Sequence, residues 1–264
     1  MNYHSNHNFG SRRDRTEPDI RRILGVNVHA VGAREAISEL DRRISVRSPT
    51  RVAFLNAHLA NLAFKNARLR EVINSFLVFN DGLGVDLASL ILYKQAFPCN
   101  LNGTDFIPNF LHETRHDLSV ALVGSQPEVV QKFIKEFERR WPRHRIVASH
   151  HGYFQSYQEE TLITEKIKAS NADILFVAMG NPKQEEWVQQ YVPKICCIGF
   201  GVGGFFDFFS GFTPRAPLFI RRARLEWLYR LLIEPQRLWR RYTVGNIAFM
   251  SRVLRQYFVR RDPS

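Results

Sequence analysis

The residues with the clearest capacity for chemistry fall in three short strings, each following an apolar run: Asn80-Asp81-Gly82, Gly180-Asn181-Pro182-Lys183-Gln184-Glu185, and Gly199 through Asp207. Asp81 precedes Gly82 and Gly84. A carboxylate at the end of an apolar strand loses part of its hydration, which raises its pKa and suits it to general-base work. The same spacing equally suits an aspartate that turns the chain or caps a helix beginning near Gly84. In the second string Asn181, Gln184 and Glu185 sit at a strand–helix junction. Amide side chains and helix N-terminal N–H groups there suit a uracil edge, ribose hydroxyls or a phosphate. Capping by Asn181, with Pro182 in the first turn, explains part of that string but not Gln184. The third string, Gly199-Phe200-Gly201-Val202-Gly203-Gly204, matches the GxGxxG pattern. Phe205-Phe206-Asp207-Phe208-Phe209 behind it is too bulky and uniform for the amphipathic helix of a dinucleotide site, and no βαβ unit follows. What remains is a glycine turn that brings backbone close to a ligand or simply reverses the chain.

Metal chemistry finds little support. His112, His116, His144, His150 and His151 lie in no ligand spacing, and no Asp-x-Asp pair stands beside the glycine loops. Neither a metal nor a cofactor is expected. Cys99 stands alone and Cys196-Cys197 adjoin within an apolar run, which suggests a reducing compartment and buried structural roles.

Charge is unevenly placed. The formal net charge is +12, and Thr213–Ser264 holds twelve Arg, no Lys and only Glu226, Glu234 and Asp262 as acids, or +9. Such a block calls for an acidic partner: nucleic acid, anionic lipid or a phosphorylated substrate. Trp227, Tyr229, Leu231, Leu238 and Trp239 interleave the arginines, and a wholly solvated tail has no use for them. A basic nucleic-acid-binding protein is the main alternative, but it leaves Asp81 and Gln184 without a role. No apolar segment opens the chain and no run of about twenty apolar residues occurs, so neither a signal peptide nor a spanning helix is expected and the chain reads as soluble or peripheral.

The elements that must position these residues alternate. Apolar runs at Ile23–Val28, Arg51–Leu55, Phe76–Phe79, Ser119–Val123, Arg145–Ser149, Ile174–Met179 and Ile195–Phe200 read as strands. Helical spacing covers Ala33–Ile44, Ala57–Asn74, Gly84–Tyr93, Pro127–Arg140, Tyr157–Ser170 and a start at Lys183–Gln190. The expected fold is α/β and Rossmann-like, a largely parallel sheet flanked by helices over residues 20–212. An Arg-rich helical C-terminal appendage follows over 213–264, interrupted by Pro235, and residues 1–19 form a polar, disordered tail. Loops after the strands' carboxyl ends then share one rim, where ligands of such sheets bind.

Several strings together resemble a known family. Asn80–Gly84, Asn102-Gly103-Thr104-Asp105-Phe106, Gly180–Glu185, Gly201–Gly204, Arg215-Ala216-Pro217, and Glu226-Trp227-Leu228-Tyr229-Arg230 with Glu234-Pro235-Gln236-Arg237 are similar, in order, to the WecG/TagA/CpsF glycosyltransferases over roughly Ile23 to Tyr242. The resemblance implies an inverting, metal-independent hexosyltransferase. Its donor would be a UDP-sugar and its acceptor a polyprenyl-diphosphate-linked sugar, at the cytoplasmic face of the bacterial inner membrane. It implies an anionic membrane surface as partner, no nucleic acid, and is compatible with a homo-oligomer. Carried over by motif, Asp81 is the base, and Asn56 and Gln184 position the sugars. Gly124, Gly152, Tyr153, Asn181, Glu185, Gly201, Val202, Gly203 and Asp207 belong to the nucleotide pocket, with Tyr153 against uracil. Arg230, Arg237 and Arg240 clamp the diphosphate. Phe54 stands where many relatives have Thr, and Asn56-Ala57-His58 with Asn100–Asp105 resembles the exopolysaccharide branch. That likeness points to glucose over N-acetylmannosamine or its uronic acid.

Overall fold

A computed structural model describes residues 19–195, 198–222 and 225–261. Residues 1–18 of the expected 1–19 tail and the Cys196-Cys197 pair lie outside the described residues.

The chain opens with β1 (Ile20–Ile23) and β2 (Val26–His29), an antiparallel hairpin, where the apolar run suggests one strand over Ile23–Val28. Leu24 (φ 48°) and Gly25 (φ 87°) both take positive φ, the geometry of the two-residue turn that matches strand twist. Leucine at such a position is what hides the turn from a pattern reading. Next come α1 (Ala33–Ser45), β3 (Thr50–Leu55), α2 (Ala57–Lys65), α3 (Ala67–Asn74), β4 (Leu77–Asn80) and α4 (Leu83–Tyr93). The single helix expected over Ala57–Asn74 is two. Asn66 closes α2, and its side chain accepts the Leu69 N–H at 3.1 Å to start α3. An element that the periodicity does not announce, α5 (Gly103–Glu113), starts at Asn102, whose side chain accepts the Asp105 N–H at 3.0 Å. Pro108 inside it masks the helix in the sequence.

The second half keeps the alternation: β5 (Ser119–Gly124), α6 (Pro127–Arg140), β6 (Arg145–His150), α7 (Tyr157–Ala169), β7 (Ile174–Ala178), α8 (Lys183–Ile195) and β8 (Ile198–Gly201). Helix α8 runs on to Ile195, so the last strand begins later than the apolar run suggests. The aromatic run does coil, into the five-residue α9 (Phe205–Phe209), but its four phenylalanines are all buried, as no amphipathic helix would have them. Then come α10 (Leu218–Arg222), α11 (Glu226–Ile233), α12 (Pro235–Tyr242), with Pro235 in its first turn, and α13 (Val244–Arg261).

Strands β3 to β8 form one six-stranded sheet in the order β4-β3-β8-β7-β5-β6, parallel throughout. This is the expected Rossmann-like α/β architecture. Alternate residues serve opposite faces: Ala53, Leu55 and Val177 pack toward α2, α3 and α8, and Val52, Phe54 and Phe176 toward α1, α5, α6 and α9. With both faces covered, the strands read as unbroken apolar runs.

The final helix is part of that core. Phe249 and Val253 of α13 are 1% and 0% exposed and belong to the same apolar cluster as Leu59 of α2 and Val85 of α4. Phe249→Ala should therefore lower unfolding free energy by about 3–5 kcal/mol in a urea titration. A loss below about 0.5 kcal/mol, normal for a surface site, would mean that α13 is not docked as described.

Candidate active site

Because the six strands are parallel, their carboxyl ends share one rim. Read across the sheet, that rim carries Asp81 after β4, Asn56 after β3, Gly201–Gly203 from the last residue of β8, Gly180–Gln184 after β7, Gly124 as the last residue of β5, and Gly152-Tyr153 after β6. Five strand spacings of about 4.8 Å make this line about 24 Å long. One small ligand cannot touch all of it; an extended one can.

At one end lies Asp81. Its N–H donates to the Leu55 carbonyl at 2.8 Å, which fixes the loop, and Gly82 N–H donates to the Asn100 side chain at 2.9 Å. Asn56 works twice: Oδ1 accepts the Leu59 N–H at 3.1 Å to cap α2, and Nδ2 donates to Asp81 Oδ2 at 3.2 Å. Burial pushes the Asp81 pKa above the ordinary carboxylate range. The Asn56 hydrogen bond and the charges of Arg241 and Arg230 pull the other way without cancelling it.

Asp81 and Asn56 open onto a cavity of about 310 Å³ between the β3–β4 end of the rim and the C-terminal helices. Its wall includes His58 of α2, Asn102 and Thr104 near the start of α5, Phe208 of α9, and Glu226, Trp227 and Arg230 of α11. Arg241 and Tyr242 of α12 and Phe249 of α13 complete that side. The His58 imidazole is held down to about 4, first by burial and then by Arg241, so it is neutral near pH 7. Asp105 ties the wall together: its Oδ1 meets Arg215 Nη2 at 2.8 Å and Arg221 Nη1 at 3.4 Å.

Three guanidiniums reach this cavity: that of Arg221, which is paired with Asp105, and those of Arg230 and Arg241. Arg230 lies 4.9 Å from the Phe208 ring centroid, and its Nη2 would stand 3.9 Å from a Cβ on Gly204, so it spans from the glycine turn to the cavity. Burial lowers the Arg241 pKa, and the charges of Arg230 and Arg237 lower it further against the opposing effect of Asp81. Both Arg230 and Arg241 carry a buried Nε with no hydrogen-bond acceptor. Partly buried cations with spare donors suit an anion.

A protein-family model described as the Glycosyl transferase WecG/TagA/CpsF family matches residues 21–263. The chain belongs to that family. It is thus a glycosyltransferase of cell-surface polysaccharide synthesis.

Within this WecG/TagA/CpsF chain the arginines sort by helix face. Leu238, 3% exposed, sets the inward face of α12. Arg241, three residues on, shares that face, while Arg240, two residues on, is exposed and stacks 5.4 Å from the Trp239 centroid. Arg237 is exposed and paired with Glu234 at 2.5 Å, yet near enough to Asp207 to act on its pKa. Of the three arginines read from the sequence, only Arg230 lines the cavity. Arg241 was legible only as the i+3 partner of Leu238. His58 and Thr104 also line the cavity and had a signal only through their family strings.

Gln184 does not line the cavity. It is 3% exposed, its Oε1 accepts the N–H groups of Gly180 at 3.2 Å and Gly203 at 3.0 Å, and its Nε2 donates to Glu185 Oε1 at 2.8 Å. One carboxamide thereby pins the loops after β7 and β8 to each other. Glu185 also accepts from Asn181 Nδ2 at 2.6 Å, and burial pushes its pKa up to about 7. A Cβ on Gly201 would stand 3.0 Å from Gln184 Nε2 and press on that carboxamide; neighbouring Val202 is buried in the core.

At the far end of the rim, Gly124 (φ 120°) admits no Cβ, which would meet the Ala178 backbone at 2.5 Å, and a Gly152 Cβ would stand 3.0 Å from Gly124 Cα. Tyr153 is 55% exposed with its ring 5.9 Å from that of His151. Asp207, its pKa raised by burial, accepts from the Ser125 hydroxyl at 3.4 Å. His150 ends β6 and faces Glu159 at 3.4 Å. Among the described residues no group of three or more His, Cys, Asp or Glu is placed to hold a metal ion.

Gln184→Met keeps the volume but removes both acceptor and donor. At about 1–3 kcal/mol per buried unsatisfied group, the stability loss in urea should be at least 2 kcal/mol. A variant that lost turnover while keeping wild-type stability would show that Gln184 acts on substrate and not on the loops.

Proposed function

We propose that this glycosyltransferase moves a hexose from a UDP-sugar to a polyprenyl-diphosphate-linked sugar, with inversion and without a metal. The observation that carries this reading is Asp81, a carboxylate with raised pKa, sharing one cavity with the guanidiniums of Arg230 and Arg241. In the proposed reaction Asp81 takes the proton of an acceptor hydroxyl, whose oxygen forms the new bond to the anomeric carbon. The bond from that carbon to the diphosphate breaks on the opposite face, and UDP leaves with the electron pair. Arg230 and Arg241 stabilise the charge gathering on the diphosphate, the part a divalent cation plays elsewhere. Asn56 holds the Asp81 carboxylate in place, and neutral His58 offers a hydrogen bond to a sugar hydroxyl.

The remaining rim suits the nucleotide. Asp207 lies beside the glycine turn and feels both Arg230 and Arg237, and the exposed ring of Tyr153 offers a surface on which a base can stack. Phe54 bears on the sugar less directly than the sequence suggests. Its ring is buried 6.2 Å from both Phe79 and Phe106, on the sheet face opposite α2. Glucose as the donor sugar rests on the family strings around Asn56 and Asn100. No helix among the described residues is long and apolar enough to cross a membrane. Peripheral attachment at the inner face of the bacterial inner membrane is supported by exposed Phe219, Leu232 and Trp239 among the arginines.

Asp81→Asn should lower turnover on UDP-glucose and a prenyl-diphosphate-sugar acceptor by roughly 10²–10⁴-fold, with UDP affinity within about threefold of wild type. The raised pKa also sets a sign: the base works only when deprotonated, so the acid limb of the rate must lie above pH about 4, the ordinary carboxylate value. Near-normal turnover in the variant, or an acid limb at or below that value, would remove Asp81 from the role.

Arg241→Ala should cut kcat/KM at least about tenfold, the loss of one charged hydrogen bond in a dry site. Arg240→Ala should change it less than about threefold. The reverse order would mean that α12 turns its other face to the substrate.

A further inference from the structure

The cavity wall does not end where the reacting groups end. Leu87 of α4 and Met250 of α13 both line it, and Leu87 is also 39% exposed, so the wall continues outward as apolar surface. Helices α4 and α13 run side by side in the same direction. A Gly84 Cβ would stand 3.6 Å from the Phe249 ring, Lys94 Nζ lies 4.8 Å from the Tyr257 centroid, and Arg260 Nη2 donates to Tyr93 Oη at 3.0 Å. Beyond Leu87, Leu90 is 42% exposed on the same face of α4. On α13, Leu254 is 44% exposed, one turn on from Met250. The core side of α13 is already filled by Phe249 and Val253, so folding does not need these outer residues to be apolar. The furrow so formed starts at the cavity, runs about 12 Å at 1.5 Å per helical residue, and ends at two cations, Lys94 and Arg260.

We propose that the furrow between α4 and α13 holds the first isoprene units of the acceptor's polyprenyl chain as that chain leaves the cavity. A ligand with an anionic diphosphate and an apolar tail matches the order of chemistry along this path: partly buried guanidiniums inside, then apolar side chains, then cations at the outer end where the chain passes into an anionic bilayer. The furrow makes the enzyme selective for the lipid's identity near its diphosphate, not only for the sugar. This rests on the transferase reading above, and its test is independent of transfer.

The test is direct titration of the full chain, without donor, against inorganic diphosphate and against dimethylallyl, geranyl and farnesyl diphosphate. Burying about a third of each five-carbon unit predicts affinity rising about tenfold with each added unit. The Leu90→Asp/Leu254→Asp variant changes two exposed residues; it should flatten that dependence while inorganic diphosphate binds within about twofold of wild type. Affinity independent of chain length in the wild type, or a dependence that survives the variant, overturns the proposal. Unchanged prenyl-diphosphate affinity with lost sedimentation on anionic vesicles, or with a change from dimer to monomer, would assign the face to membrane docking or to a second copy instead. Chain-length-dependent binding without sugar transfer would sink the reaction and leave the furrow. Active transfer with flat binding would sink the furrow alone.

Discussion

A desolvated carboxylate and a desolvated guanidinium facing one cavity are each unfavourable, and the rest of the structure exists to keep both there. Asp81 is held above its ordinary pKa and Arg241 below its own, each chiefly by burial. Neither is relieved by a direct hydrogen bond to the other; Asp81 has Asn56, and Arg241 Nε has no acceptor. A raised folded-state pKa has a definite consequence for stability. Below the unfolded carboxylate pKa both states are protonated and nothing is lost; above the folded value the unfavourable ionisation is present in full. The site therefore becomes less comfortable as pH rises and the carboxylate ionises.

That discomfort has to be offset by packing, and the two halves of the site are anchored in different ways. Asp81 and Asn56 stand on adjacent parallel strands, whose ladder fixes them within the sheet. Arg230 and Arg241 stand on short helices with little core of their own; α11 buries no residue and α12 buries only Leu238. What holds them in place is their neighbours. Helix α13 sinks Phe249 and Val253 into the main core, Asn61 Nδ2 donates to the Gly245 carbonyl at 2.7 Å, and Asp105 gathers Arg215 and Arg221. The surface ion pairs contribute little energy individually. Burial of the Phe249 ring contributes more, so the guanidiniums are positioned mainly by the apolar packing of the helix that follows them.

The sheet was legible in the sequence because both of its faces are covered, which makes each strand an apolar run bounded by turn residues. Where local chemistry contradicts the run, the reading fails for a physical reason. Leu24 takes a positive φ that leucine rarely adopts, so the hairpin reads as one strand. Asn66 is polar and short enough to end one helix and begin the next. Of the site, Asp81 and Asn56 were legible because strand ends place them on the rim whatever their contacts. Gln184 was legible as important but not as structural, since its partners are backbone amides that no side-chain pattern records. Arg241 was hidden by its neighbour: in Arg240-Arg241 only the direction of Leu238 tells which guanidinium turns inward.

The charges on the cavity also bear on one another in a way that favours an ordered reaction. Arg230 and Arg241 lower the Asp81 pKa through their fields, and the guanidiniums of Arg230 and Arg237 repel that of Arg241. Under the proposed reaction, a diphosphate entering among them cancels much of that positive field. The repulsion is relieved, and the influence that had been holding Asp81 down is withdrawn, so the carboxylate becomes a stronger base as the donor binds. Arg230 is the link, because it acts on Asp81 at one end of the glycine turn and on Asp207 at the other. The same electrostatics that makes the empty cavity unfavourable thus makes the base most basic when an anomeric carbon is there to be attacked, and leaves it weaker when only water is present.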